Sequence, residues 1–437
     1  MSSILVCINP TESHVGPVLT VAKGFVDKGW RVRVLTGARF ADRVDATGAT
    51  AIALPPEGDV LDSIDLKGNA RGVKALNDGI YRTFIEPTPP QFQALCEALD
   101  AEPVDAVTGD PSFLAMSLLN SLPARPVLAT CGIFPLMVSS VDTPPFGLGA
   151  TPKRGAIGRL QHRMMSWTAR KVILARVQRQ IDEFYRSFGL PGLGSTFFTD
   201  YMLRDGMIDL LGQFTVPAFE YPRSDLPSVV RFFGPLSVPA RPDWRPPEWW
   251  SELDGSRPVV HVSQGTVANT DFGELVGPTL EALADEPVLV VVATGRTDGR
   301  PIGDLPPLPA NARVAEFLPH AELMPKVSAF VTNGGYGGLH EAMRHGVPIV
   351  VAGDTEDKLE TSARVAWSGV GVNLKTGHPT REAIRAAVSD VLANPRFRDA
   401  SSRIGEEIAA SPGAAGFVDA VEELVAARAS APASGGA

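Results

Sequence analysis

A glycine-rich turn in the second half of the chain is the first feature that could do chemistry. From residue 333 to residue 341 the sequence is Asn-Gly-Gly-Tyr-Gly-Gly-Leu-His-Glu, after an apolar run and at the start of a helical pattern. Glycines let a backbone approach a ligand closely, and the first N–H groups of a helix attract anions. The segment has neither a Walker Gly-Lys-Ser/Thr nor a G-x-G-x-x-G spacing. It predicts a phosphate or diphosphate site; a tight turn whose glycines only pack the helix is the alternative.

His14 is the second candidate, because it follows the first predicted strand, at residues 4–8. Ligands of open α/β sheets bind at the carboxyl ends of the strands, and an imidazole is the side chain best suited to remove a proton near neutral pH. The same loop, residues 9–17, contains a single glycine, which argues against a dinucleotide cofactor here. A histidine that only covers or caps the first helix is the alternative.

Apolar runs and helical patterns alternate along the chain, which indicates parallel βαβ units in doubly wound sheets. In the first half we predict strands over residues 4–8, 31–36, 50–54, 105–108 and 126–130, and helices over 18–28, 113–122 and 168–188. In the second half we predict strands over 259–263, 288–293, 314–318, 330–332 and 349–352. A length of 437 residues favours two domains. The expected class is therefore α/β, with two Rossmann-like domains that face a central cleft.

A passage rich in proline and tryptophan divides the two halves. It contains Trp244, Trp249 and Trp250 among its prolines, a composition typical of an interdomain linker. The predicted division is an N-terminal domain over residues 1–234, a linker over 235–257, a C-terminal domain over 258–428 and a flexible tail over 429–437. We also expect the helices after about Arg403 to cross back to the N-terminal domain.

The composition excludes several kinds of partner. A net charge of −9 gives no electrostatic footprint for nucleic acid, and no run approaches the roughly 20 apolar residues of a membrane span. The three cysteines form no C-x-x-C pair, which argues against a zinc site and fits a reducing compartment. No basic leader precedes the first apolar run, so we expect a soluble cytoplasmic protein. Asp-x-Asp is absent from the sequence, so we expect no metal.

The block from residue 317 to residue 358 resembles the donor-binding signature of nucleotide-sugar glycosyltransferases, the family of the macrolide and plant natural-product enzymes. It combines Phe-Leu-Pro-His at 317–320, the glycine-rich turn, Gly-Val-Pro at 346–348 and Asp-Lys at 357–358. The resemblance is strong in this block and weak over most of the chain. It implies the GT-B fold, in which two Rossmann-like domains face a cleft. It also implies a nucleoside diphosphate sugar as co-substrate, a UDP-sugar rather than a TDP-sugar, and no other cofactor.

The resemblance implies roles for individual residues of the donor site. Phe317 would stack on the nucleobase, Leu318 would offer its backbone to the base edge, and His320 would lie at the ribose. Glu341 would accept hydrogen bonds from the ribose hydroxyls. Contacts with the diphosphate are implied for Gly265, Thr266, Asn333, Gly334, Gly335, Gly337 and Gly338.

Three positions depart from the family pattern. Asn333 stands where the family usually has histidine and brings no positive charge, and Gly338 replaces a serine hydroxyl. Asp357 matches the acidic residue that holds sugar hydroxyls, but Lys358 replaces a glutamine and offers a cation with donors only. The first two departures predict weaker diphosphate binding unless backbone amides carry it, and the third leaves the sugar open. Pairing of Lys358 with Glu356 or Asp357 is the alternative to a ligand role.

The resemblance also gives His14 a partner. Residues 13–17, Ser-His-Val-Gly-Pro, look like the family's Gly-His-x-x-Pro loop, whose histidine is the catalytic base. The family's orienting aspartate corresponds to Asp110, after the strand predicted at 105–108; a helix cap at Asp110 is the alternative. An apolar acceptor pocket is implied in N-domain loops that contain Phe84, Phe92, Phe113, Phe134, Met137 and Phe146.

The activity implied by the resemblance is the inverting transfer of a hexose from a UDP- or TDP-sugar to a hydroxyl of a small apolar acceptor. The acceptor class would be a polyketide, a phenolic, a terpenoid or a lipid. His14 would take the hydroxyl proton, and Asp110 would orient the imidazole. A nucleotide-sugar 2-epimerase and a sugar-nucleotide-binding partner protein without turnover are the alternatives.

Overall fold

The computed structural model describes residues 1–59, 73–238, 240, 244–265, 271–295, 305–355 and 357–430. Within these ranges the chain forms two parallel sheets with helices packed on them. The strands of the first sheet are β1 (Ser3–Cys7), β2 (Arg31–Thr36), β3 (Thr50–Ala53), β4 (Ala106–Gly109), β5 (Val127–Gly132), β6 (Leu210–Gln213) and β7 (Val230–Phe232). Those of the second are β8 (Val259–Ser263), β9 (Leu289–Ala293), β10 (Ala312–Ala315), β11 (Ala329–Thr332), β12 (Ile349–Val351) and β13 (Gly371–Asn373).

The helices follow the strands in the alternation expected of βαβ units. In the first half they are α1 (Glu12–Asp27), α2 (Ala41–Asp45), α3 (Val73–Ile80), α4 (Thr88–Ala101), α5 (Ala115–Leu118), α6 (Gly155–Thr168) and α7 (Ala175–Ser187). In the second half they are α8 (Val276–Leu283), α9 (His320–Leu323), α10 (Tyr336–Arg344), α11 (Lys358–Ser368), α12 (Arg381–Ala393), α13 (Pro395–Ala410) and α14 (Gly413–Ser430). No helix in the described part of the chain is long and apolar enough to cross a membrane.

The first sheet has the strand order β3-β2-β1-β4-β5-β6-β7, with every pair parallel. The central strand β1 is buried along its length, and alternate side chains enter the helical layers on opposite faces, as expected for a parallel sheet covered on both sides. At its carboxyl end Cys7 pairs with Gly109 of β4. A Cβ at Gly109 would lie 1.9 Å from the Cys7 carbonyl oxygen. The glycine therefore lets the ends of β1 and β4 meet closely, and the residues that follow them are neighbours.

The second sheet repeats this arrangement, with the order β10-β9-β8-β11-β12-β13 and parallel pairing throughout. Ser263 at the end of β8 pairs with Thr332 at the end of β11. The turns that follow these two strands therefore lie side by side. They contain Gly265 and the glycine-rich segment that begins at Asn333.

The linker packs against the second domain. The first sheet ends at Phe232 and the second begins at Val259. Between them the indoles of Trp244, Trp249 and Trp250 contact the apolar core of the second sheet. Glu252 accepts two hydrogen bonds from the guanidinium of Arg313, at 2.7 and 2.6 Å.

Several elements differ from the sequence-based expectation. Helix α1 begins at Glu12 and not at residue 18, because the apolar spacing continues across Pro17 and buries Val15. The helix predicted over 168–188 contains a wider turn at Ala169–Ile173 followed by α7, and the prediction missed α6, which precedes that turn. The prediction missed β6, β7 and β13, which have only three or four residues and no clear alternation of apolar and polar side chains.

The chain returns to the first domain at its end. Helix α13 still packs on the second core, so the crossing occurs at residues 411–413, later than the expected position near Arg403. Helix α14 then buries Phe417 against the rings of Phe214 and Phe233. A Cβ at Gly212 would lie 2.4 Å from the Phe417 ring, so the absence of a side chain there makes room for this contact.

We predict that Phe417→Ala lowers the free energy of unfolding by about 3–5 kcal/mol, because it removes a fully buried ring and leaves a cavity between the sheet and α14. Chemical denaturation followed by tryptophan fluorescence measures this. The matched control is Lys28→Ala, which removes an exposed ion pair between the end of α1 and Asp419 of α14. It should leave the free energy of unfolding nearly unchanged, because exposed ion pairs contribute little. Equal effects of the two variants would contradict the buried docking of α14.

Candidate active site and donor site

His14 lies in the first turn of α1, not in a loop before it, and its ring contacts the end of β4. Its Nδ1 is 3.0 Å from Oδ2 of Asp110, a fully buried carboxylate directly after β4. An ionised carboxylate can only accept hydrogen bonds, so Nδ1 carries the proton and Nε2 holds the lone pair. The pair therefore has the geometry of an oriented general base.

Asp110 is held by more than the imidazole. Its Oδ2 also accepts the backbone N–H of Asn9 at 3.0 Å, and its Oδ1 accepts the N–H of Ser112 at 2.7 Å and the Ser112 hydroxyl. Burial alone would raise the pKa of Asp110, but the hydrogen bond of His14, its positive charge when the ring is protonated, and the bonds from Ser112 and Asn9 outweigh it and lower the pKa. The carboxylate is therefore charged at neutral pH and fixed in position. The helix that follows begins only at Ala115, with Leu114 at its N-cap and no side-chain cap, so the bond to Ser112 closes a turn and the capping alternative is wrong.

The residues predicted for the acceptor pocket divide into two groups. Phe134 is half-buried, with its ring centroid 6.4 Å from that of His14. Phe84, Met137 and Phe146 are also half-buried in the N-terminal domain. Phe113 is a wrong prediction as a lining residue: it is 1% exposed, within the core under the first sheet. Its position, three residues after Asp110, puts its ring on the side of the buried strands.

Phe92 also belongs to the packing of the domain. Its ring makes an edge contact with Phe188 at 5.7 Å, and it joins two apolar clusters.

Sequence reasoning missed a row of exposed apolar side chains on α6. Its members are spaced three and four residues apart, so they share one helix face, and each is more than half exposed: Ile157, Leu160, Met164 and Trp167. The spacing alone could have found this row, but the helix prediction began at residue 168.

The glycine-rich turn joins β11 to α10. Gly334 has a φ of +97°, a conformation that side chains disfavour, and a Cβ there would lie 2.9 Å from the Thr361 hydroxyl. Added Cβ atoms at Gly335 and Gly337 would meet nothing within 4 Å. The turn therefore presents bare backbone ahead of the first N–H groups of α10, the arrangement that binds anions.

The turn after β8 contacts Asn333. The side-chain amide nitrogen of Asn333 donates to the backbone carbonyl of Gln264 at 2.5 Å, and the Oδ1 of Asn333 has no hydrogen-bond partner among the described residues. Gly265, the residue after Gln264, has a φ of +76°, and a Cβ there would lie 3.8 Å from Oδ1 of Asn333. Asn333 therefore ties the two turns together, and the backbone amides have to supply most contacts with a phosphate. Thr266 and Glu356 lie outside the described residues.

Gly338 lies next to His320, whose imidazole contacts that of His261. A Cβ at this position would lie 3.1 Å from Cε1 of His320, so the imidazole occupies the space that a serine would approach. Nε2 of His320 is 3.3 Å from Nε2 of His261, and the His261 ring stacks on Phe330. Burial lowers the pKa of His320 to about 4, and burial together with His320 lowers that of His261 to about 3. Both rings are neutral at physiological pH, so neither supplies charge to a donor.

Three further donor-site candidates lie just before α9 and on α10. Phe317 is 40% exposed, which leaves a face for stacking, whereas the side chain of Leu318 is in the core and only its backbone could contact a base. Glu341 is buried, and its Oε2 accepts the hydroxyl of Ser237 in the linker at 3.2 Å. Its two carboxylate oxygens also lie 3.6 Å from Arg344 and 3.4 Å from His345.

A small pocket connects the glycine-rich turn to the start of α11. Its lining includes Asn333, Gly353, Asp354 and Lys358, and Asp357 directly precedes the helix. A Cβ at Gly353 would lie 2.0 Å from the Asn333 carbonyl and 2.9 Å from Cβ of Lys358. Lys358 is therefore close to Asn333, which stands where the family usually has histidine. No group of three or more His, Cys, Asp or Glu side chains in the described ranges could hold a metal ion.

The two Rossmann-like domains, each a parallel sheet covered by helices, have the GT-B fold. The crystal structure of the calicheamicin glycosyltransferase has the same fold, with a TM-score of 0.74 over 99% of this chain and 100% of that one, at 22% identity. The predicted fold class is confirmed.

Sequence relatives identify the family. The chain is 41% identical to 4'-demethylrebeccamycin synthase of Lentzea aerocolonigenes, over 97% of this chain and 99% of that protein. It is 32% identical to UDP-glycosyltransferase 2 of Phaeomoniella chlamydospora, over 97% and 96%. Residues 279–424 match the model of the erythromycin biosynthesis protein CIII-like C-terminal domain. The chain belongs to the natural-product glycosyltransferases, a family of enzymes that use nucleotide-sugar donors.

We predict that acid destabilises the protein through three imidazoles with lowered pKa values: those of His261 and His340, which are buried, and that of His320, which is half-buried. Burial lowers the pKa of His340 to about 4 as well. In the unfolded chain these rings take up protons below about pH 6.5, whereas the folded protein does not until about pH 4. Stability is therefore lost as the pH falls through this window, by up to about 1.4 kcal/mol per pH unit for each ring.

Denaturation midpoints between pH 7 and 4.5 test this prediction. His340→Gln should reduce the slope by about one third, because one of the three proton-binding groups is removed. An unchanged slope would mean that His340 already binds its proton in the folded state.

Proposed function

We propose that this enzyme is an inverting glycosyltransferase in which His14 is the general base and a hydroxyl of a small apolar molecule is the acceptor. The observation that carries the proposal is the 3.0 Å contact between Nδ1 of His14 and the buried Asp110 carboxylate. It directs the basic Nε2 away from the carboxylate, and the His14 side chain is 22% exposed, so a substrate hydroxyl can reach it.

The reaction is a single displacement. As the acceptor oxygen attacks the anomeric carbon, its proton passes to Nε2 of His14, and the bond between that carbon and the diphosphate oxygen breaks. Attack from the opposite side of the leaving group inverts the anomeric centre. Asp110 stabilises the imidazolium that forms, because its carboxylate is already charged and held by three other hydrogen bonds. The proton later leaves His14 to solvent.

The leaving diphosphate would lie against the glycine-rich turn. The bare backbone at Gly335 and Gly337, with the N-terminus of α10, offers N–H donors and a positive dipole for the charge that develops. Lys358 stands nearby as a cation, across Gly353 from Asn333. We propose a UDP-sugar as donor, in line with the name of the Phaeomoniella relative, and a hexose as the transferred group.

The acceptor would be apolar because the surfaces near His14 are apolar. Phe134 packs beside the imidazole, and Met137 and Phe146 follow in the same part of the chain. The exposed row on α6, further along the chain, is a second apolar face of the same domain. Exposed apolar patches of this kind mark binding surfaces. A polyketide, phenolic, terpenoid or lipid hydroxyl fits this environment.

We predict that His14→Ala lowers turnover by about 10²–10⁴, the usual contribution of a positioned general base. Binding of UDP should remain nearly intact, because the nucleotide lies on the other domain. The discriminating measurement compares two acceptors, an ordinary alcohol and a strongly acidic phenol. The phenol should recover most of the lost rate, since an ionised oxygen needs no base.

Asp110→Asn tests the orienting role in the same assays. It should reduce turnover by a similar or smaller factor than His14→Ala, because it disturbs the tautomer and the imidazolium without removing the base. If the alcohol and the acidic phenol lose rate equally in His14→Ala, His14 shapes the loop and does not transfer the proton. Near-normal turnover would exclude His14 from catalysis.

We also predict that Glu341→Ala raises the donor KM more than tenfold, because buried ribose hydroxyls would lose their acceptor, on the order of 1–3 kcal/mol. Ser237→Ala is the matched control, since Ser237 donates to the same carboxylate at 3.2 Å. It should leave the donor KM within about twofold. Similar defects in both variants would assign Glu341 to the linker contact and not to the ribose.

A further inference from the structure

Two buried glutamates and one arginine join the domains. Arg364, on α11, donates to Oε2 of Glu220 from Nε and Nη2 at 3.1 and 2.9 Å, and to Oε2 of Glu360 at 2.9 Å. All three side chains are at most 4% exposed. Arg223 is the second buried cation, 3.5 Å from Glu220. Two positive and two negative charges therefore balance in a dry site, which we call the interdomain network.

Each glutamate also binds backbone in the N-terminal domain. Oε1 of Glu360 accepts three consecutive N–H groups, from Gly147, Leu148 and Gly149, at 2.8, 3.1 and 3.0 Å. The chain there curves around the carboxylate, with both glycines at positive φ. Three bonds to one charged oxygen make a strong contact, since charge-assisted hydrogen bonds are about twice as strong as neutral ones.

Glu220 makes the corresponding contact with a second loop. Its Oε1 accepts the N–H of Leu136 at 2.9 Å, and Arg223 donates to the carbonyls of Leu136 and Val138 at 3.0 and 3.2 Å. These bonds flank Met137, and Phe134 is two residues before them. The first loop, bound by Glu360, continues directly from Phe146. The network therefore holds the two loops with the proposed acceptor side chains, which we call the acceptor loops, residues 133–138 and 144–149.

The interdomain network also reaches the proposed sugar site, through α11. Glu360 lies on the first turn of α11, two residues after Lys358 and three after Asp357. A helix turn is rigid on the scale of these bonds, so a displacement of either acceptor loop is a displacement relative to the proposed sugar site.

We propose that Glu360, Arg364 and Glu220 are positioning residues that set the distance between the acceptor loops and the sugar. This rests on the proposed function for the identity of the two substrates. Sugar transfer needs the acceptor oxygen within about 3–3.5 Å of the anomeric carbon, and small misplacements reduce the rate strongly. The network fixes that geometry across a domain boundary, where loops would otherwise be mobile.

The test compares Glu360→Gln, which removes the charge, with Glu360→Asp, which keeps the charge but withdraws the oxygens by one methylene. The control is Glu281→Gln, an exposed glutamate of the same domain paired with Arg381. Hydrogen exchange of the peptide that contains residues 147–149 should accelerate at least tenfold in both Glu360 variants. Because misplaced substrates react slowly, kcat/KM for the acceptor should fall at least tenfold, while the Kd for UDP stays within twofold. The control should match the unmodified enzyme in every measurement.

Hydrogen exchange reports on the network without any turnover, so it separates two kinds of failure. If the unmodified enzyme transfers sugar to no hydroxyl acceptor, the proposed function is wrong, whereas unchanged exchange in both variants overturns the network itself. Faster exchange with an unchanged kcat/KM for the acceptor overturns the positioning role. A fall in kcat/KM accompanied by an equal rise in the Kd for UDP would indicate a general loss of structure and would also overturn it. If Glu360→Gln does not fold, Glu360→Asp carries the same test, because it leaves the charge of Arg364 balanced.

Discussion

The site depends on one constraint: the central parallel strands of each sheet end side by side. In the first domain the glycine at the end of β4 allows close contact with Cys7 of β1, and His14 and Asp110 meet just beyond. In the second, β8 and β11 end together, and Asn333 bonds across to the turn after β8. The backbone hydrogen bonds of a sheet fix register strongly when both faces are buried. Groups about 70 to 100 residues apart in the chain are therefore brought within hydrogen-bond distance of each other.

The two halves are joined by buried polar contacts as well as by the returning helix α14. The interdomain network places four charges where water cannot reach, an arrangement that is stable only because each charge has a partner. Thr215 and His340 add a 2.6 Å hydrogen bond across the same boundary. Apolar packing alone would tolerate sliding of one domain over the other. Directional hydrogen bonds to fixed backbone groups resist such sliding. This suits an enzyme whose two substrates come from opposite sides of a cleft.

Local patterns accounted for much of the fold. The strands at 31–36 and 259–263 match the structure residue for residue, because both are rich in β-branched residues and lie next to turn residues. Short strands such as β7 and β13 contain too few residues to show a period, whereas helix α6 was missed although its apolar row has helical spacing. Phe113 illustrates the opposite error. A phenylalanine near a catalytic loop has the same local sequence whether its ring enters the cleft or the core.

Residue type and short spacing in the sequence determined the two glycine-bearing turns and the candidate His14, and the resemblance to the glycosyltransferases determined the class of the protein and added Asp110. Only the tertiary structure decided which side chains are neutral, buried or already bonded. It showed that Asn333 uses its amide within the protein, that His320 fills the space beside Gly338, and that Glu360 binds a loop more than 200 residues earlier. The physical reason is that burial and hydrogen bonding depend on neighbours that are remote in sequence. A one-dimensional pattern does not record those neighbours.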